Sequence, residues 1–381
     1  MVKSLSSRIE RLVASPIRDM LTKIEHHEIV SFAGGLPAAS HLPDFGGVVK
    51  PDVLQYGSSE GEPLLRSHIA NDLRHRGLDV DADQVIILSG SQQGIDLVAK
   101  LVIDEGTPVA VESPTYLAAL QSFSLFGAHF LSFDVDDIDT AFTHSKPSLL
   151  YVNPTFRNPD SFVYTAIQRR ALAATCDALE TIVFEDDPYR DLVYETCERT
   201  PVCASVQETH WIYQSSFSKT MAPGLRLGYL VCSPELHTPL LRLKQAADLH
   251  SNRLSQQLVL QLLQDESNAR RVAAICDDYR FRRDHFDEIL TRHFSDLASW
   301  SSPAGGLFFW LRLKTRRALD TRQLLPKALA EGIAFMPGEF FFPDGRDAAS
   351  ALRLNFSHAD PLEFEPALEK LAGILRAHVL K

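Results

Sequence analysis

The 381-residue chain has only five cysteines, Cys176, Cys197, Cys203, Cys232 and Cys276, and no two stand in C-x-x-C spacing. An odd number scattered through apolar segments argues for a reducing compartment, and no metal site is expected. Positive charge is also short. Thirty-eight Lys and Arg face 49 Asp and Glu, a net charge of -11, so the overall field repels nucleic acid and anionic membranes. The pairs Arg169-Arg170 and Arg282-Arg283 lie in amphipathic patterns and read as solvated helical faces. Residues 1–11 lack the continuous apolar region of a secretory signal, and no apolar run approaches membrane-spanning length. A cytoplasmic protein is expected. Repeats, low-complexity tracts and disordered linkers are absent as well. What is present, 45% hydrophobic and 23% charged residues, describes a chain that folds by itself, with two lobes at this length.

Apolar spacing over 6–28 predicts two short helices broken at Pro16. They, with Arg18 and Leu36, are candidates to line a pocket. Phe32-Ala33-Gly34-Gly35-Leu36-Pro37 is a loop where backbone can approach a ligand, or a plain turn. From about Asp83, short β-branched runs alternate with amphipathic helices, the pattern of an α/β fold. Strands are expected at 85–88, 108–111, 129–133, 148–152, 181–184, 211–214 and 227–231. Several end in polar clusters, and ligands of open parallel sheets bind beyond the carboxyl ends of the strands. A second lobe follows, with helices at 235–249, 254–264, 268–294, 321–331 and 361–379 and strands at 306–313 and 351–356.

The chemistry concentrates at those strand ends. Lys219, in Ser216-Phe217-Ser218-Lys219, precedes a Pro223-Gly224 turn and Arg226. Alone it would read as a surface lysine, but an arginine beyond the turn suits a pocket that binds an anion. Asp186, in Glu185-Asp186-Asp187-Pro188-Tyr189, is a carboxylate at a strand end and in isolation would be a capping aspartate. Ser89-Gly90-Ser91-Gln92-Gln93-Gly94 joins a strand to a helix, aiming free N–H groups at an anion without matching a P-loop or Rossmann fingerprint. Arg353 sits in apolar alternation and needs a bidentate partner, either a substrate carboxylate or an internal salt bridge. Nothing local separates Tyr116 from a core tyrosine, or Tyr56-Gly57-Ser58-Ser59-Glu60-Gly61 from an ordinary turn.

Taken in order from Phe32 to Phe356, these motifs, with Asn153-Pro154-Thr155-Phe156-Arg157-Asn158-Pro159, resemble those of fold-type-I pyridoxal-phosphate (PLP) enzymes, the class I/II aminotransferases. Phe-Ala-Gly-Gly-Leu-Pro, Gly-Ser-Gln-Gln-Gly and Glu-Asp-Asp-Pro-Tyr look closest to the 2-aminoadipate and kynurenine aminotransferases and the aminotransferase-like half of MocR regulators.

The resemblance implies an α/β fold: a mostly parallel seven-stranded sheet sandwiched by helices, with a smaller α+β domain from the N- and C-terminal segments. The expected divisions are 1–44, 45–248 and 249–381. It implies that Lys219 carries the cofactor as a Schiff base and moves protons as general acid and base, and that Asp186 keeps the pyridine nitrogen protonated. Tyr189 and Asn158 would reach the cofactor's 3′ oxygen, and Tyr116 would stack on its ring. Ser91, Gln92, Ser216 and Arg226 would hold the cofactor, mainly at its phosphate. Tyr56 would complete the phosphate site of the second subunit in a homodimer, and Arg353, Gly35 and Asn158 would hold the substrate. Asp160-Ser161 stands where the family has Thr-Gly; serine lacks glycine's freedom at positive φ, so the path beyond Asn158 is left open.

The implied reaction transfers an amino group from an L-amino acid to a 2-oxo acid, by family habit often 2-oxoglutarate. Alternatives are a decarboxylase, lyase or racemase on the same fold, since fold does not fix the bond broken, or a regulatory PLP-binding module. About 30 residues precede Phe32, too few for a winged helix and linker.

Overall fold

The computed structural model describes Arg8, Arg11 and residues 29–43, 51–143, 145–315, 318–343 and 350–379. Apart from Arg8 and Arg11, the expected helices over 6–28, Arg18 included, and the division at 44/45 lie outside the described residues.

Thirteen strands are described: β1 (Val30–Ser31), β2 (Val85–Leu88), β3 (Pro108–Glu112), β4 (His129–Phe133), β5 (Leu149–Val152), β6 (Ile182–Asp186), β7 (Trp211–Ser216), β8 (Gly228–Cys232), β9 (Ala298–Ser299), β10 (Phe308–Leu313), β11 (Ile333–Ala334), β12 (Met336–Pro337) and β13 (Ala351–Asn355). Seven of them form the large sheet, in the order β2-β8-β7-β6-β5-β3-β4. β4, β3, β5, β6 and β7 run parallel, and β8 is antiparallel to both its neighbours. Sheets covered on both faces need apolar side chains at every position rather than at alternate ones, and Val85-Ile86-Ile87-Leu88 satisfies this. Ile86 and Leu88 pack on one face with Ile95 and Phe123, while Val85 and Ile87 pack on the other with Leu65, Leu73 and Val259.

Helices α1 (Pro63–His75), α2 (Ser91–Val102), α3 (Leu117–Phe126), α4 (Ile138–Ala141), α5 (Ala166–Leu179), α6 (Pro234–Asp248) and α7 (Arg253–Gln264) accompany this sheet. The smaller lobe packs α8 (Asn268–Phe294) and α10 (Phe364–Val379) on the antiparallel sheet β12-β13-β10-β9, with α9 (Leu325–Ala330) nearby. On α8, Ile275, Tyr279, Phe286, Ile289, Leu290 and Phe294 bury one stripe at helical spacing. β1 pairs in parallel with β11, which brings Val30 and Ser31 beside Ile333 and Ala334.

Two elements begin later than the apolar pattern suggested. The helix expected over 321–331 is a 3-10 turn, Thr321–Gln323, followed by α9, because Pro326 cannot donate into a preceding helical turn. The 306–313 strand starts at Phe308, since Gly306 has φ +77. Conversely, β6 and β7 extend two residues past the expected ends. Asp186 pairs with Gln214 and Ser216 with Gly228, so residues read as loop chemistry are held in the sheet ladder.

Candidate active site

A cavity of about 250 Å³ opens at the carboxyl ends of β5, β6 and β7, lined by Ser91, Gln92, Tyr116, Asn158, Asp186, Tyr189, Ser216, Lys219 and Arg226 among others. Nine of the expected residues therefore meet in one place. A larger cavity, about 480 Å³, lies behind the lysine loop, where Arg76 is already paired with Asp72 and Asp191.

Asp186 ends β6 and is 3% exposed. The Tyr151 hydroxyl donates to its Oδ2 at 2.8 Å, while Oδ1 is buried with no partner. Burial outweighs the Tyr151 hydroxyl and the Gln214 side chain, which favour the ionised form, and pushes the carboxyl up to about 6. A shift of that size corresponds to about 3 kcal/mol against the ionised form, which a cationic partner at Oδ1 would offset. Asp187 faces elsewhere, its Oδ2 accepting from Arg190 Nη1 at 3.3 Å and the Tyr213 hydroxyl at 3.2 Å.

The Lys219 ammonium donates to the Gly35 carbonyl at 2.9 Å. Burial, with the Arg353 and Arg226 guanidiniums nearby, pushes its amine down to about 8. A side chain at position 35 would meet the Phe308 ring at 2.9 Å, so glycine there keeps the carbonyl close to the lysine. On the opposite wall, Gly90 adopts φ +83, and a Cβ would lie 2.5 Å from Arg226 Nη2. That missing side chain lets the guanidinium reach the N-terminus of α2, where the free N–H groups begin at Ser91. Gln92 lines the cavity, although its amide donates to Ser122 Oγ at 3.1 Å.

Arg353 is 1% exposed and spans the gap between lobes. It donates to Asn158 Oδ1 and the Ala33 carbonyl, lies 4.1 Å over the Phe308 ring, and leaves Nε unpartnered. Among the described residues no carboxylate pairs with it, and burial lowers its guanidinium to about 10. The internal salt bridge is thereby removed as its explanation. Asn158 Nδ2 in turn donates to the Tyr189 hydroxyl at 3.4 Å.

Against this geometry, the family model for aminotransferase class I and II matches residues 48–371. The chain belongs to that family. This aminotransferase is 32% identical to the aromatic-amino-acid aminotransferase 1 of Thermococcus litoralis, covering 100% of this chain and 95% of that one. With the 2-aminoadipate transaminase of Thermus thermophilus it shares 33% identity over 96% of this chain and 95% of that one. Among solved structures, the α-aminoadipate aminotransferase of Thermus thermophilus, complexed with N-(5'-phosphopyridoxyl)-L-leucine, superposes with a TM-score of 0.89 at 32% identity, covering 98% of each chain.

Pyridoxal phosphate is the cofactor of this aminotransferase, and its reaction moves an amino group from an amino acid to a 2-oxo acid. The site fits the group. Asp186 Oδ1 is a buried acceptor awaiting a donor, Lys219 is a buried amine depressed towards neutrality, and Gly90, Ser91 and Arg226 form an anion cradle.

The substitution of Asp160-Ser161 in this aminotransferase now has a physical account. Ser161 takes the positive φ, +55, and its Oγ donates to the Phe308 carbonyl at 2.9 Å, offsetting the backbone strain. Arg157 is gripped between the Asp160 carboxylate and Glu112 Oε1, at 2.8 Å from Asp160 Oδ1 and 3.0 Å from Glu112.

Tyr56 is not brought into the cavity. It is 76% exposed, its ring edge-on to His250 at 5.8 Å. Sequence reasoning gave no role to Asn153 and Ser218, which line the cavity, or to Tyr151, which holds Asp186. Asn153 follows β5 directly, so the strand-end rule could have found it. Tyr151 offered only a polar atom in an apolar strand.

Proposed function

We propose that Lys219 is the covalent anchor and proton carrier, Asp186 the partner of the cofactor's ring nitrogen, and Arg353 the grip on the substrate α-carboxylate. The observation that carries this reading is the unpartnered Asp186 Oδ1 in the same cavity as the buried Lys219 amine, whose pKa is lowered to about 8. Bound pyridoxal phosphate supplies the electron sink that accepts charge from the substrate Cα. The chain does the rest. Arg353 orients the substrate so that its Cα hydrogen faces Lys219 Nζ, and the freed amine takes that proton and returns one on the far side of the transfer. Asn158 and Tyr189 would hold the oxygen edge of the ring, Tyr116 would lie against its face, and Arg226, Ser91, Gln92 and Ser216 would hold the phosphate end. Gly35, through its carbonyl, helps to place Lys219 and the substrate.

The test is a screen of amino acids for loss of the visible absorbance of lysine-bound cofactor, with the oxo-acid product identified by mass. 2-Oxoglutarate is the proposed acceptor; a screen in which it accepts no amino group would exclude it. Arg353→Gln should lower kcat/KM for α-amino acids about 100-fold, the worth of two charged hydrogen bonds at about 1.5 kcal/mol each. Activity on a carboxylate-free amine should hardly change, and an equal loss on both would dismiss Arg353 as the grip.

The proposed assembly is a cytoplasmic homodimer with shared sites. Tyr56 stands exposed while its backbone is fastened, the Gln55 and Tyr56 carbonyls accepting from Arg253 at 3.0 and 3.4 Å. Twofold symmetry lets each subunit give one Tyr56 and receive one. Mixing Lys219→Ala with Tyr56→Glu subunits, each inactive alone, should regenerate one intact site per mixed dimer. Heterodimers seen by mass spectrometry without recovered activity would end the shared-site reading.

A further inference from the structure

The large lobe buries a second lysine. The Lys244 side chain, on α6, is 0% exposed. Its ammonium donates to Gln93 Oε1, the Asp248 carboxylate and Ser251 Oγ, each at 2.8 Å. An ammonium has three N–H donors, and here all three are matched, which is the condition for burying one. Each acceptor is tied onward. Gln93 Oε1 also accepts the Ser89 backbone N–H at 2.8 Å, and the Ser89 hydroxyl donates to Asp248 Oδ2 at 2.7 Å. The turn from Ser89 through Gly90 to Ser91 is therefore fastened from behind by the Lys244 cluster, while its front faces Arg226. Ser251 belongs to the corner between α6 and α7, where Leu249 takes φ +63 and Asn252 caps α7 by accepting the Ser255 N–H at 3.0 Å. That corner leads into Arg253, which holds the Tyr56 backbone.

We infer that Lys244 is a positioning residue for the cofactor phosphate: it holds the Ser89–Ser91 turn at the distance from Arg226 that the phosphate requires. The inference rests on the phosphate site proposed above. Gln93 Nε2 also donates to Asp248 Oδ2 at 2.8 Å, so a neutral side chain at 244 loosens Gln93, and neutral side chains at 244 and 248 together release both Gln93 and Ser89; the cradle then loses its shape without losing any group that touches the phosphate.

The test titrates the full chain, stripped of cofactor, with pyridoxal phosphate and with pyridoxal, which lacks the phosphate. Lys244→Met leaves Asp248 without its cation, so the companion Lys244→Met/Asp248→Leu variant removes both charges together. In the folded variants, checked by circular dichroism, the Kd for pyridoxal phosphate should rise at least tenfold and that for pyridoxal less than twofold. A pyridoxal phosphate Kd within twofold of the parent in the double variant overturns the inference. So does an equal loss for both ligands, which would mark a merely structural role. Arg226→Leu is run beside them. If it too leaves pyridoxal phosphate affinity unchanged, the phosphate site itself was misplaced; if it weakens binding while the Lys244 variants do not, only the role of Lys244 falls.

Discussion

Replacing Lys219 by alanine lowers turnover by about 10⁴-fold or more, since one side chain is both the attachment point and the proton carrier. The fold should persist, because among the described residues the lysine side chain makes one hydrogen bond, to Gly35, and burying its charge is a cost the native state bears. Borohydride reduction of the parent should fix the cofactor on Lys219, and labelling of another lysine would refute the assignment. The amine also sets a pH dependence. Burial beside two guanidiniums lowers it from 10.5 to about 8, so the neutral, nucleophilic fraction grows with rising pH and is half complete near 8. Capture of added cofactor by the stripped protein, followed by stopped-flow absorbance, should accelerate through pH 8; acceleration only near 10.5 would mean that the amine is solvated.

Asp186→Asn should keep the cofactor yet lose about 10² to 10³-fold in kcat, the scale on which removing one preorganised electrostatic partner acts. An amide at this position still accepts from Tyr151, so the strand end stays in place, but it cannot hold a proton on the ring nitrogen. The neighbouring acid is not placed to stand in, because Asp187 does not line the cavity and its Oδ2 is held by Arg190 and Tyr213. Near-normal turnover in this variant would release Asp186 from the role.

The sequence made most of the large lobe legible. Periodicity located its seven strands to within about two residues, because a sheet buried on both faces writes continuous apolar runs. Polar residues after those runs pointed to the cavity before any contact was known. Pairings between distant segments were out of reach: Tyr151 with Asp186, Arg353 with Asn158, and Lys244 with Gln93 are separated by 35, 195 and 151 residues. No local pattern encodes which polar atoms meet across such spans. Ser161 shows the opposite limit, where a local rule held only as a cost: its positive φ is compensated by a hydrogen bond to Phe308, 147 residues away.

The loop bearing Asn158 is pinned at both ends to different lobes. Glu112 and Asn153 hold it to the large sheet, at 3.0 Å through Arg157 Nη1 and 2.9 Å through the Asn158 N–H, and Ser161 fastens it to β10 of the small lobe. Asn158 itself is a two-ended lever, with Arg353 pulling on its oxygen and Tyr189 receiving from its nitrogen. If Arg353 takes the proposed role, a carboxylate that draws the guanidinium toward itself would release the Asn158 oxygen and free the amide that now donates to the Tyr189 hydroxyl. On that reading, occupancy of the carboxylate pocket and the polarity at the opposite edge of the cavity would be linked through a single amide.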